Sequence, residues 1–473
     1  MSTPNKETTL PEHIRVREVW TLAWPMIVGM LSYTFMALAD TVYVALLGGD
    51  DPSYVGAVGL AAVTLFTFHA LGSGILSGVK VTVAQSTGAG DHAKTKLLAW
   101  QGVWLAVGLG IAEAALALIS DPLFAALAST EAVSDKASTY FAVRALSGPF
   151  AFGWFAFQAY FQGRGDTRTP MVAALVANLS NIALDPLFIF GLPALGIPGL
   201  GVAGAAWATV LSMAVGCGFM AYKTWPHLRG VSPALRPDLM RWITRIGLPI
   251  GVRGTLEVGS FTVFSAVLSA AGEADLAAHI MVVRIISVSF LPGYGMHEAA
   301  AVLVGQAVGA RRPELARQTF TAALQISMAI MVGCGVFFLL IPELLLAPFS
   351  PGPEVQAIGI ELLWVAAAFQ IFDALAMVAQ GALNGAGDTR FVMVSGVTTA
   401  WLVKLPLGYG LAIGVGLGAL GAWVGLLAEI IVIAVICYAR VRGTRWLRAA
   451  GPEQAPKARD RSKDGRVRVP SYA

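Results

Sequence analysis

The sequence predicts an all-α polytopic membrane protein, with twelve transmembrane helices in two pseudo-symmetric six-helix lobes arranged as a 6+6 parallel repeat. Three observations predict this. Of 473 residues, 56% are hydrophobic and only 13% charged, with mean hydropathy +0.70; a soluble domain is nearer a quarter charged. Apolar runs of about 20 residues, enough for a helix to cross a ~30 Å hydrocarbon core, recur along the chain. The polar stretch "GRGDTRTPM" (163–171) returns half a chain later as "GAGDTRFVM" (385–393).

Reading apolar runs between polar breaks places the first six spans at 17–47, 55–87, 95–119, 137–162, 168–191 and 200–224. The second six fall at 239–271, 275–309, 316–341, 353–384, 390–413 and 418–440. The chain then divides into an N-terminal segment (1–16), an N-lobe (17–225), a linker (226–238), a C-lobe (239–440) and a basic tail (441–473) expected to be disordered. The polar opening residues lead directly into a long span, which is not the pattern of a cleaved signal peptide. Cys217, Cys334 and Cys437 are scattered within spans and form neither a disulfide framework nor a metal motif.

Charge sets the orientation. All but six of the 32 Lys and Arg residues lie in the termini and the even-numbered loops; the six are Lys80, Lys136, Arg144, Arg253, Arg284 and Lys404. The positive-inside rule therefore places both termini in the cytoplasm of a cell-membrane protein. The net charge of +4 is topological, and the basic tail reads as an inside-facing segment rather than a nucleic-acid ligand.

The repeat extends beyond the opening motif. "WPMIVG" pairs with "LPIGVR" through Pro25 and Pro249, "AQSTGAGD" with "GQAVGARR" through Gln85 and Gln306, and "GLGVAGAAW" with "GLGALGAW". The offset contains six spans, an even number. The halves thus share one orientation, related by an axis along the membrane normal with the transport path between them. The last pair also matches G-x-G-x-x-G, but each copy opens a membrane span and follows no strand, so helix packing is the better reading. Neither a P-loop nor H-E-x-x-H occurs, which argues against ATP as energy source and against a metalloenzyme.

Charges that cannot avoid the bilayer are the informative residues, since each must line a cavity or be paired. Asn178, Asn181 and Asp185 follow i, i+3, i+7 spacing and share one helix face. Asp40, near the outer end of span 1, lies at the same depth as Asp185, and Thr209 in span 6 adds a hydroxyl. Two carboxyls, an amide and a hydroxyl suit Na⁺ or H⁺. In the other lobe, Glu257 and Asp373 form an acidic pair, with Arg253 one turn before Glu257 and Arg284 at similar depth. That group stands between an ion-pair network and a second coupling site. Tyr33, Gln158, Asn178 and Gln370 are candidates for a substrate cavity; Gln158 sits in the aromatic run "PFAFGWFAFQAYF".

Over roughly 15–440, the ordered set of proline and Asp in span 1, "QSTGA" after span 2, "GDTR" after span 4 and "N…DP…GVAGAAWAT" across spans 5 and 6 resembles the multidrug and toxic compound extrusion (MATE) transporters. The resemblance implies cation-coupled antiport of organic, often cationic and aromatic, compounds. It implies Asp40, Asn181, Asp185 and Thr209 as cation-site positions and Pro25 as the proline that bends span 1. It places Glu257 and Asp373 at the acidic pair of the NorM-like branch. No cofactor is expected beyond the coupling ion. The expected partners are small organic molecules and the lipid bilayer, with no nucleic acid, around a monomer. The competing readings are a flippase for lipid-linked or amphipathic substrates and a membrane-embedded transferase.

Overall fold

Long apolar runs with few charges fold here into long helices, in a computed structural model that describes residues 13–192 and 196–448. The first half comprises α1 (Val16–Gly48), α2 (Ser53–Gly88), α3 (His92–Ala115), α4 (Ser120–Leu127), α5 (Glu131–Ala145), α6 (Gly148–Gly163), α7 (Arg168–Phe190) and α8 (Val202–Leu228). The second comprises α9 (Pro237–Ala271), α10 (Glu273–Gly309), α11 (Pro313–Leu340), α12 (Pro342–Leu346), α13 (Pro353–Ala386), α14 (Thr389–Thr399), α15 (Leu405–Tyr409) and α16 (Gly418–Arg442). Among the described residues, eleven helical stretches are long and apolar enough to cross a membrane.

The fourth span expected from the sequence is the missing twelfth, because it is built in two pieces. α5 and α6 part at Leu146 and Ser147, and Pro149 follows in the first turn of α6. Proline offers no N–H to continue the ladder. The break is closed locally: the Ser147 hydroxyl donates to the Arg144 carbonyl at 2.7 Å, and Arg144 Nη1 donates to Ser147 Oγ at 2.5 Å. A two-residue antiparallel ribbon, β1 (Gly191–Leu192) on β2 (Ile197–Pro198), also joins α7 to α8. In span 11, π-helical turns at Ala400–Lys404 and Gly410–Gly414 flank α15; α7, the corresponding helix, runs as one piece.

Two sequence expectations shift, one at the C-terminal tail and one between the lobes. The tail is not wholly disordered from residue 441. Trp446 is fully buried, and its indole N–H donates to the Val441 carbonyl at 2.8 Å, so one large apolar ring anchors residues 441–448. Residues 449–473 and 1–12 lie outside the described residues, and with them the rest of the two terminal segments. The inter-lobe linker also shortens, since α8 runs to Leu228 and α9 starts at Pro237.

The repeated motifs make matching turns. Gly165 and Gly387 both adopt φ +89°, a left-handed conformation that glycine reaches without steric cost. In each turn the following Asp N–H bonds back to the helix, Asp166 to Phe161 and Asp388 to Leu383, both at 2.9 Å. Asp166 then caps α7 through the N–H groups of Arg168 and Thr169, whereas Asp388 pairs with Arg440 at 2.7 Å.

The lobes pack over the half of the membrane that holds these turns and part over the other half. α1 is buried at Val19 and Ala23 but exposed at Phe35, Leu38 and Leu46. α2 is buried almost continuously from Gly78 to Ser86, and α10 from Gly295 to Gly309. A Cβ at Gly74 would collide with the backbone of Gly251 on α9, and one at Gly78 with the Ile243 carbonyl. Only glycine lets these backbones approach so closely. The glycine-rich openings of α8 and α16 serve the same purpose: side chains at Gly204 or Gly421 would run into the backbone at Phe188 or Leu411. Across the lobe interface, Lys80 of α2 pairs with Glu298 of α10, both nearly buried.

Candidate functional site

The structure brings Asp40, Asn181 and Asp185 of the N-lobe cluster together. α7 turns Asn178, Asn181 and Asp185 inward, all buried, with Asp185 at 0% exposure. Asn181 Nδ2 donates to Asp185 Oδ1 at 3.4 Å. α1 brings the Asp40 carboxyl into direct interaction with that of Asp185. Three oxygens of this cluster, Asp40 Oδ1, Asn181 Oδ1 and Asp185 Oδ2, are buried with no hydrogen-bond partner. Unpaired buried acceptors are costly, and two carboxyls at this range repel unless a positive charge sits between them. Thr209 is buried on α8; its hydroxyl donates to the Ala205 carbonyl at 3.0 Å, leaving its lone pairs to accept or coordinate.

Beside the cluster lies a cavity of about 630 Å³. Tyr33, Asn178 and Gln158, cavity candidates from the sequence, line it together with Pro25 and with Met and aromatic side chains. Asn178 Nδ2 donates to Ser32 Oγ at 2.5 Å, tying α7 to α1. Trp154 Nε1 donates to Gln158 Oε1 at 3.1 Å. α1 continues helically through Pro25, which has no N–H for the Thr21 carbonyl four residues before it. The helix therefore carries a preformed weak point on the cavity wall.

A second cavity, of about 340 Å³, lies in the C-lobe and is lined by Arg253, Glu257, Asp373, Gln380 and Glu429 among others; Phe290 borders both cavities. Arg253 Nε meets Glu257 Oε2 at 3.3 Å. Lys404, fully buried in the first π-turn, donates to Ser260 Oγ at 2.9 Å and lies 3.4 Å from Glu429. Glu257 and Glu429 are thus paired with cations, whereas Asp373 lines the cavity with no ion pair among the described residues. Two candidates depart from expectation. Arg284 is exposed and lines neither cavity, because Val283, Ile286, Ser287 and Phe290 occupy the inward face of α10 and Arg284 falls off it. Gln370 is buried outside both linings, donating to Ser289 Oγ at 2.9 Å.

Sequence reasoning assigned no role to four residues. Arg144, counted only as an in-membrane charge, sits at the α5–α6 break and acts electrostatically on Asp40 and Tyr33. Tyr140 precedes it by one helical turn, and this spacing was the available signal. Glu113 of α3 pairs with His69 of α2, and His69 lines the larger cavity; nothing in the spacing of those two residues foretells their meeting.

Comparison with known proteins gives matches that span most of the chain. The MatE family model matches residues 25–187 and 249–410, one stretch per lobe. A probable multidrug resistance protein NorM of Thermotoga maritima is 30% identical over 421 residues, covering 88% of this chain and 89% of its own. Multidrug resistance protein PmpM of Pseudomonas aeruginosa is 30% identical over 457 residues, covering 91% and 92%. Among solved structures, a MATE protein in a straight conformation superposes with TM-score 0.82 at 25% identity, covering 92% of this chain and 96% of its own. A MOP-superfamily transporter from Pyrococcus furiosus gives TM-score 0.83 at 24% identity with the same coverage.

Proposed function

This chain belongs to the MatE family of multidrug transporters, and on that premise we propose that it exports organic, cationic or amphipathic compounds by cation-coupled antiport. The observation that carries the reading is the cluster of three unpartnered buried oxygens on Asp40, Asn181 and Asp185. It is a hard, negatively charged oxygen site next to an apolar cavity large enough for a drug-sized molecule. Na⁺ or H⁺ bound there satisfies the oxygens and cancels the repulsion between the carboxyls. The lobes, closed at the turn face and parted at the other, correspond to a cavity open to the outside when both termini are cytoplasmic.

In this reading the cation enters from outside and neutralises Asp40 and Asp185. α1 then repacks at Pro25 against the cavity, and the compound leaves outward. Binding of one ligand must change the affinity for the other, since a ligand without differential affinity shifts no equilibrium. The protein works as a monomer in the cell membrane, each lobe supplying half the path. The Arg253–Glu257 and Lys404–Glu429 pairs tie up two of the C-lobe acids as ion pairs, which favours the N-lobe for coupling.

The test is efflux of a fluorescent organic cation from proteoliposomes under a Na⁺ gradient and a pH gradient imposed separately. One of the two gradients drives export in this account. Export that ignores both gradients overturns it.

A further inference from the structure

A buried acid–base pair lies in the wall of the larger cavity, apart from the Asp40–Asp185 cluster. Glu113, in the last turn of the apolar helix α3, is 3% exposed. His69 Nε2 of α2 meets its two carboxyl oxygens at 3.1 and 2.9 Å. The imidazole in turn lines the cavity, with the edges of Phe152 and Phe155 around it at centroid distances of 5.6 and 6.2 Å. A carboxyl group at membrane depth whose partner is an ionisable ring facing a cavity is a functional candidate by its cost alone.

We propose that His69 and Glu113 form the charge-recognition site of this cavity, taking up a planar organic monocation in exchange for a proton. The proposal rests on the transport reading and deepens it by assigning the substrate's positive charge to named side chains. With one shared proton the pair is neutral overall, whichever residue carries it. Arrival of a monocation displaces that proton to cavity water, leaving neutral His69, ionised Glu113 and the bound cation. Charge balances, and no other reactant is needed. The surrounding aromatic edges and faces suit a flat ring system, and cation–π contact adds to the attraction. Tyr33 from α1 and Tyr294 from α10 are the other titratable side chains on this wall. α6, which supplies the Phe rings, carries no charged residue between Gly148 and Gly163. Arg144 at the end of α5 bonds Ser147, and Arg253 on α9 pairs with Glu257 on the other cavity.

The test is binding of ethidium, a permanent aromatic cation, and of phenanthridine, its uncharged parent ring, to the purified full-length transporter in nanodiscs. A pH indicator in weak buffer reports protons released. Glu113→Gln should weaken ethidium about tenfold, the scale of losing one charged partner, and leave phenanthridine unchanged. It should also release about one proton fewer than wild type on ethidium binding, and Glu113→Asp should restore part of both effects. If Glu113→Gln does not insert, His69→Gln decides: it should weaken ethidium while leaving phenanthridine unchanged, and change the number of protons released on ethidium binding. Equal losses for both ligands, as for a clamp between α2 and α3, overturn the proposal, as does ethidium binding that neither variant alters. No gradient is applied, so failure here leaves the coupling role of Asp40 and Asp185 standing, and failure of gradient-driven export leaves this exchange standing.

Discussion

Gln85 of the N-lobe donates its side-chain Nε2 to the carbonyl of Gly385 in the C-lobe at 3.0 Å. Gln306 of the C-lobe returns the bond to Gly163 of the N-lobe, also at 3.0 Å. Each glutamine thus grips the Gly-Asp-Thr-Arg turn of the opposite lobe. Gly88 and Gly309 let the helix ends approach, since a Cβ on either would strike the main chain at Gln306 or Gln85. The two repeated motifs, one after span 2 and the other after span 4, are the two sides of one reciprocal interface.

These bonds should bias the transporter toward the state closed at the turn face. Each is worth about 1 kcal/mol, so removing both shifts the equilibrium by about 2 kcal/mol, or roughly thirtyfold. For Gln85→Ala/Gln306→Ala, spin labels at His92 and Glu314 should show a new, longer distance population. An unchanged distribution would mean that the glycine packing alone holds this face shut.

The Lys80–Glu298 pair crosses the same interface and is nearly buried, with side chains 8% and 10% exposed. Removing one partner strands the other charge, at a cost of about 3 kcal/mol. Lys80→Met should therefore lower thermal stability in detergent, and Lys80→Met/Glu298→Leu should recover most of the loss. Additive losses in the double variant would show that packing, not charge, is what each residue contributes.

Two C-lobe ion pairs differ in burial, and burial decides their weight. Lys404 and Glu429 are 1% and 13% exposed, Arg253 and Glu257 21% and 45%. Lys404→Met should cost about 3 kcal/mol, and Glu257→Gln less than about 1 kcal/mol. Thermal melts of the two variants, run side by side, check the order; similar losses would contradict it.

Helix number and lobe symmetry were legible because hydropathy, charge asymmetry and the repeated turns all report the bilayer and the duplication. The N-lobe cluster was legible because Asn178, Asn181 and Asp185 lie on one helix and depth alone brings Asp40 to them. What stayed hidden depends on pairings between helices and on rotation about the helix axis. His69 and Glu113 come from different spans with no shared periodicity. Arg284 has the depth of its candidates but the wrong azimuth, which span limits do not specify. The break at Leu146–Ser147 was visible only as the Gly148–Pro149 dipeptide inside an otherwise continuous apolar run.

The central claim is that Asp40 and Asp185 couple cation entry to export while the C-lobe acids do not. It is tested most directly by gradient-driven efflux from proteoliposomes carrying Asp40→Asn, Asp185→Asn or Glu257→Gln, each matched for inserted protein. Asn keeps the size of Asp but removes its charge and its titratable proton. Both N-lobe variants should lose gradient-driven efflux while inserting normally, and Glu257→Gln should retain most of it. Near-normal export by Asp185→Asn beside an inactive Glu257→Gln would contradict the account and move coupling to the C-lobe.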